Sequence, residues 1–442
     1  MSALKDPDVS PEIEAVFTCR EPDVPTWPHV GYDYEGRMEE LMGVLREELP
    51  GIDFSPQLVA SAEEAEAVSD APDGYMVYMI GGMWTGAAEE ILSRGEPTVL
   101  VDDLYAGSGG FLNAHSMINR EGLPAVGVAS SDMGDVIEAL SLFEVLKAME
   151  QSKIIVVGDQ EERGMGREEL AEKIGNLFGT AVERVGSAEL NERYEETDPQ
   201  EATQWREKWI EEAKKVVEPD EEEILKSARM YLALKGLLAE KGAQAVTVDC
   251  LGLYYGDKLP AYPCLAFFQL NNEGSTGVCE ADLDSTVTQL LMRYAVGRPG
   301  YVSDPVIDTA SNQIIYAHCV STNRPYGPEG LSNPYLIRSH SEDRSGASVQ
   351  SLLPLGERVT TAKVNAYEGT MALHRGRTVA NVEEEKACRT KLAAETEAEK
   401  VLNNWNVDSQ FGWHRVTFYG DWEKKLKGMA RLLGLEVVEE DV

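Results

Sequence analysis

Over 442 residues the chain carries 77 acidic and 40 basic side chains, a formal net charge of −37, with 43% hydrophobic and 26% charged residues. That composition belongs to a soluble globular protein rather than a disordered or membrane one. Its acidity repels nucleic-acid phosphates and anionic lipid surfaces, so neither is expected as a partner.

At roughly 150 residues per domain the length predicts two to three domains. No apolar run approaches the roughly 18 residues of a membrane span. The first residues carry acids where a secretory signal has bases, which predicts a cytoplasmic protein. The six cysteines (Cys19, Cys250, Cys264, Cys279, Cys319 and Cys388) have no CxxC spacing and are expected as buried thiols in a reducing compartment. An acid-rich surface also suits a saline habitat.

The first third alternates apolar runs with helical patterns. Strands are predicted at 15–19, 75–80, 98–101 and 125–128, with helices over 35–48, 86–94 and 133–149 between them. This is the rhythm of a parallel sheet covered on both faces. A second unit opens with a strand at 153–158 and a helix at 167–177. It continues through a charged helical region over about 199–242, interrupted near Pro219, to strands at 245–250 and 264–270. Beyond about residue 300, Gly, Pro, Ser and Thr become common. Short alternating runs at 313–317, 335–339 and 359–364 predict an antiparallel sheet or small barrel without helices over 301–380. An amphipathic helix at 422–433 leads into a last strand at 435–438. The expected fold class is α/β: two Rossmann-like α/β domains, 1–150 and 151–300, the second with a helical insertion, then a mainly β, barrel-like domain at 301–442 with a final helix.

Gly81-Gly82 and Gly107-Ser108-Gly109-Gly110 follow strand-like runs but match neither GxGxxG nor a Walker A loop. They are expected to turn the backbone sharply at the carboxyl ends of strands, where α/β sheets place ligands, with Arg20 and Trp84 facing that crevice. HExxH, paired-cysteine zinc and GxSxG patterns are absent.

The densest chemistry lies in three stretches, Cys279-Glu280-Ala281-Asp282, Ser303-Asp304-Pro305 and Gly412-Trp413-His414-Arg415. Two carboxylates flanking a helix at 284–296, with one imidazole, make an oxygen-rich, one-nitrogen set. Such a set suits manganese, magnesium or iron better than structural zinc. Asp282 or Asp284 caps that helix more naturally than Glu280, which leaves Glu280 free. Plainer readings stand beside these: Glu280 and Asp304 as solvated surface acids, His318 as a buried strand residue, and His414 buried among its aromatic neighbours.

Taken together, residues 279–319 and 411–440 resemble the L-fucose isomerase and L-arabinose isomerase superfamily of metal-dependent aldose–ketose isomerases. The layout is a glutamate, a helix, a glycine-containing turn, an aspartate about two dozen residues on, and a histidine after the next strand. The resemblance implies Glu280, Asp304 and His414 as ligands of a divalent metal, manganese first, with magnesium, cobalt or iron as alternatives. It implies Glu280 and Asp304 as catalytic, and His318 as a fourth ligand or a contact to a substrate oxygen; Asp308 is the fallback should Asp304 point away. The segment 110–116 is similar to the one that places a histidine, here His115, in a neighbouring subunit's site, and Arg20 resembles a substrate-binding arginine. Glu followed by Asp is fucose-like, whereas His318 and the surroundings of His414 are arabinose-like, and the chain is shorter than either enzyme. The implied activity is isomerisation of a monosaccharide or sugar derivative through an enediolate, in a homo-oligomer (trimer or hexamer) whose sites include Arg20, Trp84 and His115 of a neighbour. Alternatives are a sugar-binding or regulatory protein on the same fold, or a metal-dependent lyase or epimerase.

Overall fold

The computed structural model describes residues 6–21, 23–70, 73–159, 167–405 and 411–442. It divides into two compact units, one of residues 8–148 with 424–436, the other of 149–423 with 6–7 and 437–442. Among the described residues no helix is long and apolar enough to cross a membrane.

The first unit is built on a parallel sheet of β1 (Glu12–Thr18), β2 (Asp53–Val59), β3 (Gly74–Met79), β4 (Thr98–Asp102) and β5 (Ala125–Val128), ordered β2-β1-β3-β4-β5. Its inner strands are apolar on both faces because helices cover both. Ile13, Ala15 and Phe17 of β1 enter one core with Met76, Tyr78, Val99 and Val101, while Val16 enters the other with Tyr75, Val77 and Leu100. β2, which the sequence expectation omits, is the edge strand, and Pro56 inside it is tolerated there because an edge strand has one unpaired side. The segment Gly107-Ser108-Gly109-Gly110 does turn off β4, but Ser108 onward continues as the helix Ser108–Glu121. Gly107 is required where the backbone passes Met79, since a methyl group there would collide with the Met79 carbonyl. The helix Glu423–Leu432, expected from its amphipathic pattern, contributes nearly all its residues to this unit.

The second unit begins with β6 (Lys153–Val157), β7 (Ala181–Val185), the short β8 (Lys215–Val216), β9 (Ala245–Val248) and β10 (Thr276–Cys279). β6, β7, β9 and β10 form a parallel sheet in the order β10-β9-β6-β7. One sequence expectation is overturned here. Residues 264–270 are not a strand but part of the helix Cys264–Asn272, and the strand of this region is β10. Every residue of that helix is buried, so it shows no polar face, and a short apolar run buried all round cannot be told from a strand by periodicity.

The remaining strands are β11 (Tyr301–Asp308), β12 (Gln313–His318), β13 (Tyr335–Arg338), β14 (Ser348–Ser351), β15 (Arg358–Asn365), β16 (Thr370–Asn381), β17 (Thr390–Glu395), β18 (Arg415–Tyr419) and β19 (Glu436–Glu439). Pairings run β15-β18-β11-β12-β17-β16, and β16 returns to β15, all antiparallel, so six strands close into a barrel with β19 added beside β16. Closure leaves these six without a free edge. No helix occurs over 301–380. The fold is therefore α/β with parallel sheets followed by a mainly strand region, as the sequence predicts.

Candidate metal centre

β10 ends at Cys279 and hands the chain to Glu280 and Ala281, which both hold left-handed backbone, with φ of 63° and 51°. For non-glycine residues such conformations cost on the order of 1–3 kcal/mol each and persist where the surroundings impose them. The next residue, Asp282, caps the helix Leu283–Val296. Its Oδ1 accepts from the Ser285 amide at 2.9 Å and its Oδ2 from the Ser285 hydroxyl at 2.7 Å. Capping thus falls to Asp282, leaving Glu280 half-exposed on the strained turn.

The barrel supplies the other groups. His318 closes β12, Asp304 lies in β11, Lys363 in β15, and His414 immediately precedes β18. The pairing Ser303↔Arg415 sets Asp304 beside His414, and their side chains meet with Asp304 Oδ1 3.4 Å from His414 Nε2. Glu280 reaches both histidines, Oε1 at 3.7 Å from His318 Nε2 and Oε2 at 3.8 Å from His414 Nε2. Glu280, His318 and His414 each present one ligand atom within 4.8 Å of the other two. Bonds of about 2.0–2.6 Å to a common ion would separate donor atoms by roughly 3–5 Å, so this spacing fits one cation. The structure therefore brings together Glu280, Asp304, His318 and His414, with His318 rather than Asp304 completing the tightest triad.

A second observation points the same way. His318 is buried, and neither of its ring nitrogens has a hydrogen-bond partner among the described residues. A buried polar atom left unpaired costs on the order of 1–3 kcal/mol, and a cation or a ligand oxygen would relieve it.

Two residues that the sequence reading did not place at the centre complete it. Asp282 Oδ2 lies 2.9 Å from His414 Nδ1 and accepts from the Lys363 ammonium at 2.6 Å, and Lys363 also donates to the Ser285 hydroxyl at 2.8 Å. Burial favours the neutral acid at Asp282, but the Lys363 charge and the His414 ring overcome it and hold the carboxyl well below its usual range. For His414, burial opposes charge on the ring, yet the Asp282 hydrogen bond and charge, with Glu280 nearby, raise its pKa above the ordinary histidine value. A carboxylate at Nδ1 fixes the proton there and turns the Nε2 lone pair toward Glu280 and Asp304, the orientation a metal-ligating imidazole needs. Asp284, two residues further on, accepts from the Ala366 amide at 3.1 Å, and burial pushes it up to about 7. Nothing local in the sequence marks Lys363. Asp282 carried a signal, but only for its capping role.

Arg415, next to His414, is fully buried and anchors this corner. It donates to the carbonyls of Gly412 and His414 at 3.3 and 3.0 Å and pairs with Glu440 at 2.7 Å.

The three other predicted residues belong to the first unit. Arg20 follows β1, and Trp84 follows β3 with a left-handed φ of 70° and 72% exposure. His115 is half-buried on its helix, stacked on Phe111 at 5.5 Å with Asn119 at 3.4 Å. Asp308, the fallback ligand, is held instead by Ser311, whose hydroxyl donates to it at 2.6 Å.

No protein-family model matches the chain. Over 311 residues it is 24% identical to proteins named sulfoquinovose isomerase from Priestia aryabhattai and from Priestia megaterium (strain ATCC 12872 / QMB1551). The alignment spans 68% of this chain and 67% of each relative.

Proposed function

We propose that the chain is a divalent-metal-dependent aldose–ketose isomerase of the L-fucose/L-arabinose isomerase superfamily, acting on a monosaccharide or sugar derivative. The observation that carries this reading is the convergence of Glu280 and His414 on the buried His318, with Asp304 3.4 Å from His414. Resemblance to proteins named for isomerising a sulfonated sugar supports it, and puts sulfoquinovose first among substrates to try.

The reaction moves a proton between adjacent carbons while charge develops on the two oxygens they carry. Glu280, Asp304, His318 and His414 would hold the metal, which when bound acts as a Lewis acid toward neighbouring sugar oxygens. Manganese is the first choice, with magnesium, cobalt and iron as alternatives, because carboxylates and imidazoles together suit these ions. Glu280 takes the proton from one carbon and Asp304 serves the other side, which calls for two carboxylates flanking the sugar. Asp282 and Lys363 keep the His414 ring aimed at the site. The direct test is incubation of manganese-loaded protein with pentoses, hexoses, deoxy sugars and anionic sugars, sulfoquinovose included, with product analysis. Ketose formation that EDTA abolishes is expected. Sugar binding without turnover under any metal would leave a binding protein instead, and cleavage products would make it a lyase.

The working unit in this proposal is a homo-oligomer, a trimer or hexamer, in which Arg20, Trp84 and His115 of one copy line the metal site of another. Trp84 and Tyr105 favour a contact there, since they stand 72% and 84% exposed at the ends of adjacent strands with φ of 70° and 73°. Strained, exposed aromatics are costly unless something covers or uses them. Mixing Glu280→Gln subunits with His115→Ala subunits should therefore restore activity that neither parent has, to roughly a quarter of wild type if one intact site forms in four. An inactive mixture of properly assembled subunits would refute the shared site.

A further inference from the structure

One cluster next to the metal centre has no part in that chemistry. Cys319 directly follows His318 at the end of β12, and Cys388 lies just before β17. The β12–β17 register pairs His318 with Thr390, which brings both cysteines to the same end of two neighbouring strands. The Ser341 hydroxyl lies between them, 3.2 Å from Cys319 Sγ and 3.8 Å from Cys388 Sγ.

The pairing is held in place from below. Arg389, buried next to Cys388, donates to the Ser339 carbonyl at 2.8 Å and to the Ser339 hydroxyl at 2.9 Å, tying the loop that carries Ser341 to the loop that carries Cys388. Cys388 is also the one cysteine of the six that is not buried. A small oxidant would therefore meet Cys388 first, with the Cys319 sulfur waiting behind it. A partly exposed thiol with a second thiol in reach is the arrangement of a redox-sensitive pair.

We propose that Cys319 and Cys388 are a reversible oxidation site, closed to a disulfide by hydrogen peroxide, and that closure weakens metal binding by displacing His318. In the first step Cys388 attacks the peroxide, the O–O bond breaks, and Cys388 becomes a sulfenic acid with release of water. In the second, Cys319 attacks that sulfur, the S–O bond breaks, and a second water leaves. Two thiols lose two electrons and two protons to one peroxide, which leaves as two waters, and a dithiol reductant reverses the change. Drawing the two sulfurs to bonding distance, near 2.05 Å, pulls on the residues that carry them, Cys319 at the end of β12 among them. His318 is the residue adjoining that shift.

The disulfide stands independently of the isomerase reading, whereas its effect on the metal rests on it, so the two are measured separately. The full-length protein is treated with hydrogen peroxide and digested under non-reducing conditions, and manganese affinity is titrated before and after. A Cys319–Cys388 crosslinked peptide that dithiothreitol removes is expected, with a loss of manganese affinity of at least about tenfold that reverses with it. Cys388→Ser should bind manganese as the reduced wild type does and be indifferent to peroxide. Absence of the crosslinked peptide under doses that oxidise Cys388 would overturn the pair. A crosslinked protein with unchanged manganese affinity would overturn the coupling. Failure of the reduced protein to bind manganese would count against the metal centre, with the crosslink still decided by the peptide map.

Discussion

Replacing Glu280 by glutamine is expected to lower turnover by roughly 10²–10⁴-fold while the protein stays folded, the range a positioned acid–base group supplies. Glutamine keeps the length and hydrogen-bonding reach of the side chain but cannot accept a proton at neutral pH, and it removes one negative charge from a centre that already holds Asp282 and Asp304. The backbone strain at this position, φ 63°, belongs to the turn and is met equally by both residues. Glu280 is half-exposed, its carboxylate stands 3.7 and 3.8 Å from the two histidines and makes no side-chain hydrogen bond among the described residues, so little stability depends on it. Melting temperature should shift by no more than a few degrees. Metal affinity should fall as well, because a neutral amide is a poorer ligand, so the assay is run at saturating manganese to separate a lost base from a lost ion. Turnover within a few-fold of wild type under those conditions would remove Glu280 from the chemistry, whatever its contribution to the ion.

How much of this was legible in the sequence depends on the range over which each property is written. β1, β3 and β4 are visible because each is apolar on both faces and bounded by turn residues, and β12 and β15 of the barrel as short runs, whereas the run at 335–339 is β13, which pairs with β14 and β8 outside the barrel, and β11, β16, β17 and β18 go unmarked in the sequence expectation. The helix Cys264–Asn272 was misread for a physical reason, since burial on every side erases the period that distinguishes helix from strand. At the centre, Glu280, Asp304 and His414 were legible as residue types in a familiar order, and His318 as the histidine after the next strand. The partners that orient them were not. Asp282 shows locally as a cap, and its contact with His414 spans 132 residues of chain, while Lys363 joins it from 81 residues away. Such contacts exist only once the barrel has closed against the helix Leu283–Val296, and no local pattern encodes them. The same holds for Ser341 between Cys319 and Cys388, three residues that share no motif.

The largest effect on stability is expected at Glu440, two residues before Val442. It is almost wholly buried and accepts from Arg415 at 2.7 Å and faces His374 Nδ1 at 2.8 Å, while His374 Nε2 meets the Tyr316 hydroxyl at 2.8 Å. Burial alone would favour the neutral acid, but His374 and Arg415 overcome it and pull Glu440 from 4.5 to about 2. A carboxyl whose folded pKa is depressed stabilises the fold above its unfolded pKa and loses that contribution as pH falls through the folded value. The window is therefore pH 4.5 down to 2. At 1.36 kcal/mol per pKa unit the shift is worth about 3 kcal/mol. Glu440→Gln should lose several kcal/mol at neutral pH, on the order of 3–5, because Arg415 is then a buried cation without its counter-charge. The difference between wild type and variant should shrink by about 3 kcal/mol as pH falls through that window, since wild-type Glu440 is then protonated too. Urea midpoints measured at pH 7, 4.5, 3 and 2 read this directly, and a difference that stays constant across them would mean that the carboxylate charge contributes nothing. The consequence reaches the proposed metal centre, because the Arg415 guanidinium that Glu440 neutralises is the group that holds the His414 and Gly412 carbonyls. At neutral pH, where Glu440→Gln is still folded, its manganese affinity should already be lower than wild type, as the backbone carrying His414 loses its anchor.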